Sequence, residues 1–591
     1  MDGKKYINRL FLLFARLSNN NKVLILSIFV SIIASLAAIL LKISVHATQV
    51  MLQEAFPEDD YNYLFLAFPI IGISLTVLFV KFFVKDDLSH GVSKVLYAIA
   101  RDKGKLKGHH TYSSIIASTL TVGFGGSVGL EAPITLTGSA IGSQLGTFFK
   151  LNTKSTITLV ACGATAAVAA IFNAPVAGVV FAIEVLMLDL TITSAFPLLV
   201  SAVTAMSMSY ILLGHSIMFN NIGTISEFAI ENLPLYAILG LVTGLYSLYF
   251  MRMSAFIESI FKKMQSSWGK IAVGGILLSV LIFLFPSFYG EGYEALSNIM
   301  RGNLSYLFHN SPFYSWQYND FLILLFLFLL LMFKTFATAF TTGAGGVGGV
   351  FAPSLFLGGI AGCLLATFIN TFFDAHVPVL NFVLAGMSGV MGSVMKAPLT
   401  AIFLIAEISG GYQLFVPLML TTLVSCCIFY PFEKYSVYTK SLAAEGNLIT
   451  HHKDKHALSL LNVSNLIENN FATVNPEATI RDLLPVIEHS VRNIFPLVDE
   501  KQHFYGIVIL DDVRPLMFHE EKYDIPLKDV AFFPSTSVNP NERMSSVVEK
   551  FRETGLYNMV VIDEKQIYYG FISRANVFST YREIIEEISE D

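Results

Sequence analysis

The sequence predicts an all-α polytopic membrane protein followed by a small soluble α/β domain. Of its 591 residues, 54% are hydrophobic and only 14% are charged, whereas soluble domains usually carry about 25% charged residues. The charges are also unevenly distributed, because 23 of the 44 acidic residues lie between residues 451 and 591. The chain before residue 451 is therefore poor enough in charge to lie in a bilayer, and the tail after it is predicted to be soluble.

The chain begins with a predicted cytoplasmic amphipathic segment, residues 1–22, in which basic residues surround an apolar stripe. The apolar run at 23–42 is too long for a signal peptide, and its positive flank places the N-terminus in the cytoplasm. Most of the later apolar runs are long enough to cross ~30 Å of hydrocarbon, and the shortest, 271–285, needs its flanks. These runs lie at 63–84, 195–213, 234–250, 271–285, 321–340 and 414–430.

Two further segments, 113–146 and 341–373, are apolar but repeatedly interrupted by glycine and proline. Irregular backbone at membrane depth is tolerated only where protein buries it or where it lines a watery cavity. Interrupted segments at corresponding places in two halves of a chain are typical of a transport site. We therefore expect the functional site in these two segments.

The two halves correspond in sequence. GGSVGLEAP at 125–133 matches GGVGGVFAP at 345–353, and NAPVAGVVFAIE at 173–184 matches KAPLTAIFLIAE at 396–407. The two matches have the same order and nearly the same separation along the chain, which indicates an internal repeat. We assign the transmembrane domain to 23–445, with repeats at about 23–215 and 230–445. The sequence does not show whether the copies are inverted.

In each copy, glycines lead into an Ala-Pro pair that opens an apolar helix. The first turn of a helix has free N–H groups and about half a positive charge, so it binds anions without lysine or arginine. Glycines before it leave room for an ion to approach the backbone. The motif residues are Gly129, Leu130, Ala132 and Pro133 in the first copy, and Gly348, Gly349, Ala352 and Pro353 in the second.

Glu131 is the one carboxylate inside these motifs. When ionised it can occupy the anion site itself, and when protonated or swung outward it vacates that site, so we interpret it as a gate. The alternative is a helix-capping glutamate with no moving role. Glu184 and Glu407 lie at equivalent positions of the paired helices, and this symmetry favours a structural role for both.

With these motifs in this order, the chain resembles the CLC family of chloride channels and proton/chloride exchangers from about residue 23 to its C-terminus. The resemblance implies an inverted-repeat helical transmembrane fold, a homodimer and one anion pathway per subunit. It gives Glu131 the position of the gating glutamate. It also implies that the backbone N–H groups of Val350 and Phe351, and the hydroxyl of Tyr438, contact the central anion.

The chain departs from this family in the first anion-binding motif, which reads Ser89-His90-Gly91-Val92-Ser93. His90 replaces the central serine and would donate a hydrogen bond or bring a group that titrates near pH ~6.5. Alternatively, Ser89 or Ser93 supplies the hydroxyl. Leu130 stands where the family usually has an arginine, which removes a positive contribution to the field.

A second departure is Val185, which follows Glu184. Exchangers that resemble this chain have a proton-accepting acidic residue at this position, and valine there resembles the channels. We therefore predict passive chloride conduction, with proton-coupled exchange as the alternative, and leave the preference among chloride, fluoride and nitrate open.

A remote alternative is a cation transporter, but divalent cations need several oxygen ligands. The absence of a nucleophile–base pair or a metal-ligand cluster in the sequence argues against an enzyme.

The soluble tail also contains a repeat. FPLVD at 495–499 followed by GIV at 506–508 recurs, at the same spacing, as MVVID at 559–563 followed by GFI at 570–572. This resembles a pair of CBS motifs, which we assign to 463–591 after a linker at 446–462. Candidate nucleotide contacts are Asp512 and Ser573, but each copy has lost one of two usual polar groups. We therefore favour a structural or dimer-stabilising role over adenine-nucleotide binding and expect no resident cofactor.

The expected partners are a second copy of the chain, the lipid bilayer, and chloride or other small anions. A net charge of −6 argues against nucleic acid, since proteins that bind it present a basic surface. The short loops and compact tail favour an integral protein of a bacterial inner membrane with both termini in the cytoplasm.

Overall fold

The computed structural model describes residues 17–54, 66–88, 91–188, 191–214, 223, 225–444 and 461–589. It divides into two compact units, 1–448 and 449–591. Most of the predicted N-terminal segment 1–22 and of the predicted linker 446–462 lies outside the described residues, as do Ser89 and His90.

The described part of the first unit is built from helices. Those of its first half are α1 (Asn19–Glu54), α2 (Phe68–Phe79, extended by a π-helical turn, Val80–Val84), α3 (Gly91–Ala100), α4 (His110–Gly123), α5 (Glu131–Phe148), α6 (Thr153–Phe172), α7 (Pro175–Glu184) and α8 (Ile192–Leu213). Those of its second half are α9 (Leu233–Lys263), α10 (Ser267–Leu284), α11 (Tyr293–Met300), α12 (Asp320–Gly343), α13 (Phe351–Phe373), α14 (Val379–Met395), α15 (Pro398–Ile408), α16 (Phe415–Phe429) and α17 (Lys440–Ala444).

Seven helices of the described chain are long and apolar enough to cross a membrane: α1, α6, α8, α9, α10, α12 and α13. Most of the predicted apolar runs fall within these helices, and α10 begins at Ser267, so the shortest run is completed by its flank as expected. Helix α1 begins at Asn19, slightly before the predicted start of the membrane domain. Sequence analysis missed α6, although its mean hydropathy of 1.9 is no lower than that of α8, at 1.8.

The two interrupted segments are broken as predicted. The first contains the end of α4, an irregular stretch at 124–130 and α5; the second contains the end of α12, an irregular stretch at 344–350 and α13. Each irregular stretch has a glycine with positive φ near its start, Gly125 at 93° and Gly345 at 101°. These backbone angles are readily adopted only by glycine, so the internal repeat extends to the conformation of the loops.

The two repeats are held together by reciprocal backbone contacts. The N–H of Gly129 donates to the carbonyl of Gly349 at 2.8 Å, and the N–H of Gly349 donates to the carbonyl of Gly129 at 2.7 Å, in an antiparallel bridge. Two further hydrogen bonds beside this bridge also join the repeats in both directions. The backbone N–H of Ser127 donates to Oγ1 of Thr341 at 3.1 Å, and the backbone N–H of Val347 donates to Oγ1 of Thr121 at 3.0 Å. The motif copies therefore run in opposite directions, as an inverted repeat requires.

Helix packing follows the same symmetry. Helix α5 packs against α6 as α13 packs against α14, and α6 packs against α8 as α14 packs against α16. Helices α7 and α15 pack against each other. The carboxylate of Glu184, at the end of α7, accepts backbone N–H bonds of 3.1 and 2.7 Å from the first turn of α15. That of Glu407, in α15, accepts bonds of 3.0 and 2.9 Å from the first turn of α7.

These two carboxylates accept hydrogen bonds from first-turn N–H groups, which have no acceptor within their own helix. They also place negative charge at the positive ends of the helix dipoles. The structural role predicted for Glu184 and Glu407 is therefore confirmed: each joins the end of one repeat's helix to the start of the other's.

The second unit contains a repeated strand pair. Its elements are α18 (Ile480–His489), β1 (Ile494–Val498), β2 (Phe504–Ile509), α19 (Leu510–Val513), α20 (Leu527–Val530), α21 (Met544–Thr554), β3 (Asn558–Ile562), β4 (Tyr568–Ser573) and α22 (Arg574–Ser589). Strands β1 and β2 pair antiparallel, as do β3 and β4, and the two registers agree at every equivalent position, including an irregularity at the same place. The predicted α/β repeat is confirmed.

The two copies of this unit exchange backbone hydrogen bonds. Phe532, which follows the first copy, pairs with Ile507 of β2 through bonds of 3.0 and 3.1 Å. Glu468, at the start of the first copy, pairs with Phe571 of β4 in the second copy through bonds of 2.7 and 3.1 Å. The two pairs occupy equivalent positions of the repeat, so the copies form one module.

The reciprocal caps generate a prediction about stability. We expect Glu184→Gln and Glu407→Gln each to lower the free energy of unfolding by about 1–2 kcal/mol, because each removes a charge that is hydrogen-bonded at a helix start. Thermal unfolding of the purified protein in detergent measures the loss. Glu258→Gln is the matched control, because this carboxylate lies on the exposed surface of α9 in an ion pair with Lys262 and such pairs contribute little. Equal losses in all three variants would contradict the capping account.

Candidate functional site

Two helix N-termini meet where the repeats exchange their glycine hydrogen bonds. Helix α5 begins at Glu131 and α13 begins at Phe351, and the Gly129–Gly349 pair lies immediately before both. The approach is close, since a Cβ atom at Gly349 would lie 2.8 Å from the Cβ of Ala132. The first-turn N–H groups of both helices lack partners within their own helix, and both dipoles present a positive end.

The carboxylate of Glu131 lies between these two helix starts. Its side chain is 2% exposed, and the backbone N–H groups of Glu131 and Ala352 face it. The hydroxyl of Tyr293 donates a hydrogen bond of 2.5 Å to Oε1. Within the described part of the chain, Oε2 has no partner of full hydrogen-bond geometry. The carboxylate therefore occupies the place where an anion would meet both helices.

Gly129 makes this position of the carboxylate possible. A Cβ atom there would overlap Oε2 of Glu131 and would lie 3.0 Å from the backbone nitrogen of Ala352. Any other residue would have to displace the carboxylate or the start of α13. The glycine of the first motif thus provides the close approach expected from the sequence.

Val350 and Phe351 form the start of α13, Val350 as the residue before the helix and Phe351 as its first residue. Phe351 is buried, and its ring stacks on that of Phe172 with centroids 5.0 Å apart. This contact fixes the start of α13 against the end of α6 in the first repeat. The anion contacts through the N–H groups of Val350 and Phe351 stay a prediction.

Tyr438 and the segment around Gly91 also lie near the start of α5. Tyr438 is 7% exposed and is close enough to Glu131 for the two to interact electrostatically. Gly91 begins α3, and a Cβ atom there would lie 2.6 Å from the carbonyl oxygen of Ala132. The hydroxyl of Ser93, one alternative for contact with the anion, donates to the carbonyl of Tyr438 at 2.8 Å.

Val185 is buried, with 4% of its surface exposed, at the end of α7. It follows Glu184, both of whose carboxylate oxygens accept hydrogen bonds from the start of α15. The position at which exchangers of similar sequence carry a proton-accepting residue is therefore apolar in this chain. The acidic residue before it, Glu184, has a structural role.

The structure adds two residues to the site that sequence analysis missed, Tyr293 and Glu291. Glu291 accepts a hydrogen bond of 3.1 Å at Oε1 from the backbone N–H of Leu130, the residue before Glu131. Both residues come from the segment between α10 and α12, which lies outside the repeated motifs. No signal in the sequence connected them to Glu131.

Lys334 is a third residue that sequence analysis missed. It could have been recognised from the sequence, because it is a single cation inside the apolar run of α12. It is completely buried, donates from Nζ to Oγ of Ser127 at 2.8 Å, and lies 5.5 and 4.9 Å from the ring centroids of Phe288 and Phe356. Its charge acts on Glu291. A buried lysine therefore lies near the site although Leu130 has replaced the family's arginine.

A cavity of about 190 Å³ lies beside Glu291 and Tyr293. Gln49, near the end of α1, also lines it. Gln49 is separated from Asn19 by about 45 Å of helix at 1.5 Å per residue. The cavity therefore lies toward the end of α1 that is opposite to its start, a side that we call the outer side.

The described residues include one cluster with the side chains of a metal site, Asp86, His109 and His110. Its carboxylate already binds the ammonium of Lys107 at 2.9 Å and Nε2 of His109 at 3.2 Å. Partial burial opposes ionisation of Asp86, but the hydrogen bond from Lys107 and the surrounding positive charges outweigh it and lower the pKa of Asp86. The Asp86 carboxylate is thus already used by Lys107 and His109, and we assign no metal to the cluster.

In the second unit, the two candidate nucleotide contacts do not meet. Ser573 lies at the end of β4, where its hydroxyl donates to Oε1 of Glu468, and Glu468 also binds Arg492 at 2.8 Å. These residues line an open cleft of about 580 Å³, and Asp512, in α19, is not among the described residues that line it. The carboxylate of Glu468 would oppose a phosphate bound beside Ser573.

Comparison with known proteins agrees with these features. Residues 72–429, more than half of the chain, match the family model described as "Voltage gated chloride channel", and residues 463–518 match the CBS domain model. The chain is 28% identical over 386 residues to a putative chloride channel protein ClcB-like of Ralstonia nicotianae, covering 64% of this chain and 85% of that one. It is 24% identical over 491 residues to the chloride channel protein CLC-f of Arabidopsis thaliana, covering 72% of this chain and 60% of that one.

Solved structures share the fold. A slow cyanobacterial Cl−/H+ antiporter aligns with a TM-score of 0.60 at 23% identity, over 72% of this chain and 97% of that one. A CLC-type fluoride/proton antiporter aligns with a TM-score of 0.57 at 22% identity, over 71% and 97%. A eukaryotic CLC transporter aligns with a TM-score of 0.59 at 15% identity, over 94% and 97%.

The burial of Lys334 generates a second prediction. We expect Lys334→Met to lower the free energy of unfolding by about 2 kcal/mol, because it leaves the buried hydroxyl of Ser127 without the ammonium group that donates to it. Thermal unfolding in detergent measures the effect. Lys262→Met is the control, since Lys262 is exposed on α9 and its substitution is expected to change stability little. An unchanged thermal midpoint for Lys334→Met would contradict the inferred role of its charge.

Proposed function

The chain belongs to the voltage-gated chloride channel (CLC) family, and on that premise we propose that it carries chloride across a membrane through a pathway gated by Glu131. The observation that supports this proposal is the position of the Glu131 carboxylate between the starts of α5 and α13. There it faces the backbone N–H of Ala352 and is 2% exposed. A negatively charged group already occupies the place that suits a small anion.

The mechanism follows from the chemistry of helix starts. Backbone N–H groups and two converging dipoles attract an anion without a full positive charge, so the anion binds and also leaves. Ionised Glu131 competes for the same donors and closes the pathway. Protonation removes its charge and therefore its advantage over chloride. Transport through this gate increases as the pH falls, because the protonated form no longer competes.

We propose passive conduction rather than exchange. The supporting observation is Val185, a buried apolar residue beside Glu184, whose carboxylate is fully used by the start of α15. Proton-coupled exchange is the second candidate. It is supported by the similar solved structures, two of which are described as antiporters, although likeness at their 22–23% identity concerns the fold.

The further proposals concern the assembly and its location. We propose that the chain forms a homodimer with one pathway in each subunit, as the family resemblance implies. We place it in a bacterial inner membrane with both termini in the cytoplasm. The CBS pair is proposed to stabilise the assembly without a resident nucleotide, since Glu468 and Arg492 bind each other at the cleft beside Ser573.

Flux in liposomes tests the proposed function. The purified protein is reconstituted with a chloride gradient, a pH probe inside the vesicles and the membrane potential clamped by a potassium ionophore. We expect chloride to move down its gradient with no proton movement against the proton gradient. Uphill proton movement driven by chloride would contradict passive conduction and establish exchange. Absence of chloride movement at every pH would contradict the proposed function itself.

The matched variant in this assay is Glu131→Gln, which keeps the shape of the side chain and removes its charge. We expect wild-type chloride flux to rise as the pH falls, and the flux of Glu131→Gln to be high and independent of pH. The same pH dependence in both proteins would exclude Glu131 as the gate.

A further inference from the structure

Tyr293 reaches the gate from a part of the chain that the repeated motifs do not include. It is the first residue of α11, and its hydroxyl donates to Oε1 of Glu131, which lies far earlier in the sequence. A phenol that donates to a carboxylate forms a charge-assisted bond when that carboxylate is ionised, and such bonds are about twice as strong as neutral ones. The bond therefore favours the ionised, closed position of Glu131.

The segment that carries Tyr293 is itself fixed to the start of α5. Just before it, Glu291 accepts a hydrogen bond from the N–H of Leu130 at 3.1 Å. Gly292, between them, has a φ of 85° and directs the two side chains to adjacent points of the same helix start. One short segment thus contacts both the gate and the residue before it.

The position of Tyr293 is on the outer side of the gate. Tyr293 and Glu291 line the cavity of about 190 Å³ that also contains Gln49. Tyr293 therefore contacts both this cavity and the carboxylate of Glu131. The hydroxyl is therefore placed where release of Glu131 toward the cavity requires that its bond be broken.

We propose that Tyr293 is an outer latch: a positioning residue whose hydroxyl holds ionised Glu131 between the helix starts and releases it on protonation. This inference rests on the proposed function, because it describes how the same gate is regulated. A protonated carboxyl group is a weaker acceptor than a carboxylate, so protonation weakens the latch and removes competition with chloride at the same time.

Other charged and titratable groups face this pair, and the latch acts in their presence. Glu291 and Tyr438 interact electrostatically with Glu131, and Lys42 and Lys334 interact with Glu291. Among them, Tyr293 is the group that donates a hydrogen bond to the carboxylate. Removal of its hydroxyl leaves these charges in place, so the effect of the latch can be measured separately.

Tyr293→Phe tests the latch, with chloride flux in liposomes measured at neutral pH and in mild acid. We expect this variant to raise flux at neutral pH by about tenfold, the effect of losing a hydrogen bond to a charged group, and to match the wild type in acid. Tyr289→Phe is the control, because Tyr289 lines the same cavity but its hydroxyl donates to the carbonyl of Gly123 at 3.0 Å. We expect it to behave as the wild type at both pH values.

The double variant Tyr293→Phe with Glu131→Ala separates the latch from a general change in the pathway. Without a carboxylate there is nothing to hold, so its flux is expected to equal that of Glu131→Ala alone. An equal increase from Tyr293→Phe in both backgrounds would overturn the latch, as would wild-type flux from Tyr293→Phe at neutral pH. Both results leave the proposed function intact, whereas a wild-type protein without chloride flux at any pH overturns the function and the latch together.

A second measurement does not depend on recovery of the Phe variant. 3-Fluorotyrosine incorporated at position 293 keeps the ring and the hydroxyl but is a stronger hydrogen-bond donor. We expect it to lower chloride flux at neutral pH, the direction opposite to that of Tyr293→Phe. Flux equal to or higher than that of the wild type would contradict the latch.

Discussion

The structure depends on one constraint: two helices from different repeats must begin at the same place and leave room there for a carboxylate. The exchanged hydrogen bonds of Gly129 and Gly349, 2.8 and 2.7 Å long, impose the meeting point. The missing side chain at Gly129 leaves the room, because a Cβ atom would overlap the carboxylate of Glu131. Two partial positive charges are thus concentrated on one small volume, and no lysine or arginine of the described residues is shown in direct contact with the carboxylate there. We propose that this arrangement attracts an anion without retaining it.

The rest of the membrane unit keeps that meeting point in register. Reciprocal bonds between threonine hydroxyls and loop N–H groups flank the glycine pair. Farther away, Glu184 and Glu407 each join the end of a helix in one repeat to the start of a helix in the other. Because each contact recurs in both directions, a shift of one repeat relative to the other breaks contacts in pairs. Buried polar groups that are mutually satisfied in this way are costly to separate, which favours a rigid frame around a single movable carboxylate.

The sequence was enough to predict the two repeats and their interrupted segments, but not the residues that surround Glu131. Paired motifs in the same order and at nearly the same separation predicted the repeat, the interrupted segments and Glu131, since a repeat and a helix start are local patterns. The inversion of the repeats required the antiparallel Gly129–Gly349 bridge, which is a contact between distant segments. Tyr293 and Glu291 could not be predicted, because they reach the site from a segment outside the repeated motifs that is distant in sequence. Lys334 could have been questioned as a lone cation in an apolar helix, the usual mark of a functional or paired residue.

The central claim is that Glu131 and the transported anion compete for the same backbone donors. Isothermal titration of the detergent-purified protein with chloride at neutral pH tests it most directly, by comparison of the wild type with Glu131→Ala. The account predicts that the alanine variant binds chloride several-fold more tightly, because the competing carboxylate has been removed from N–H groups that remain in place. Equal or weaker binding by the variant would contradict the claim, since it would show that the carboxylate does not occupy the anion site.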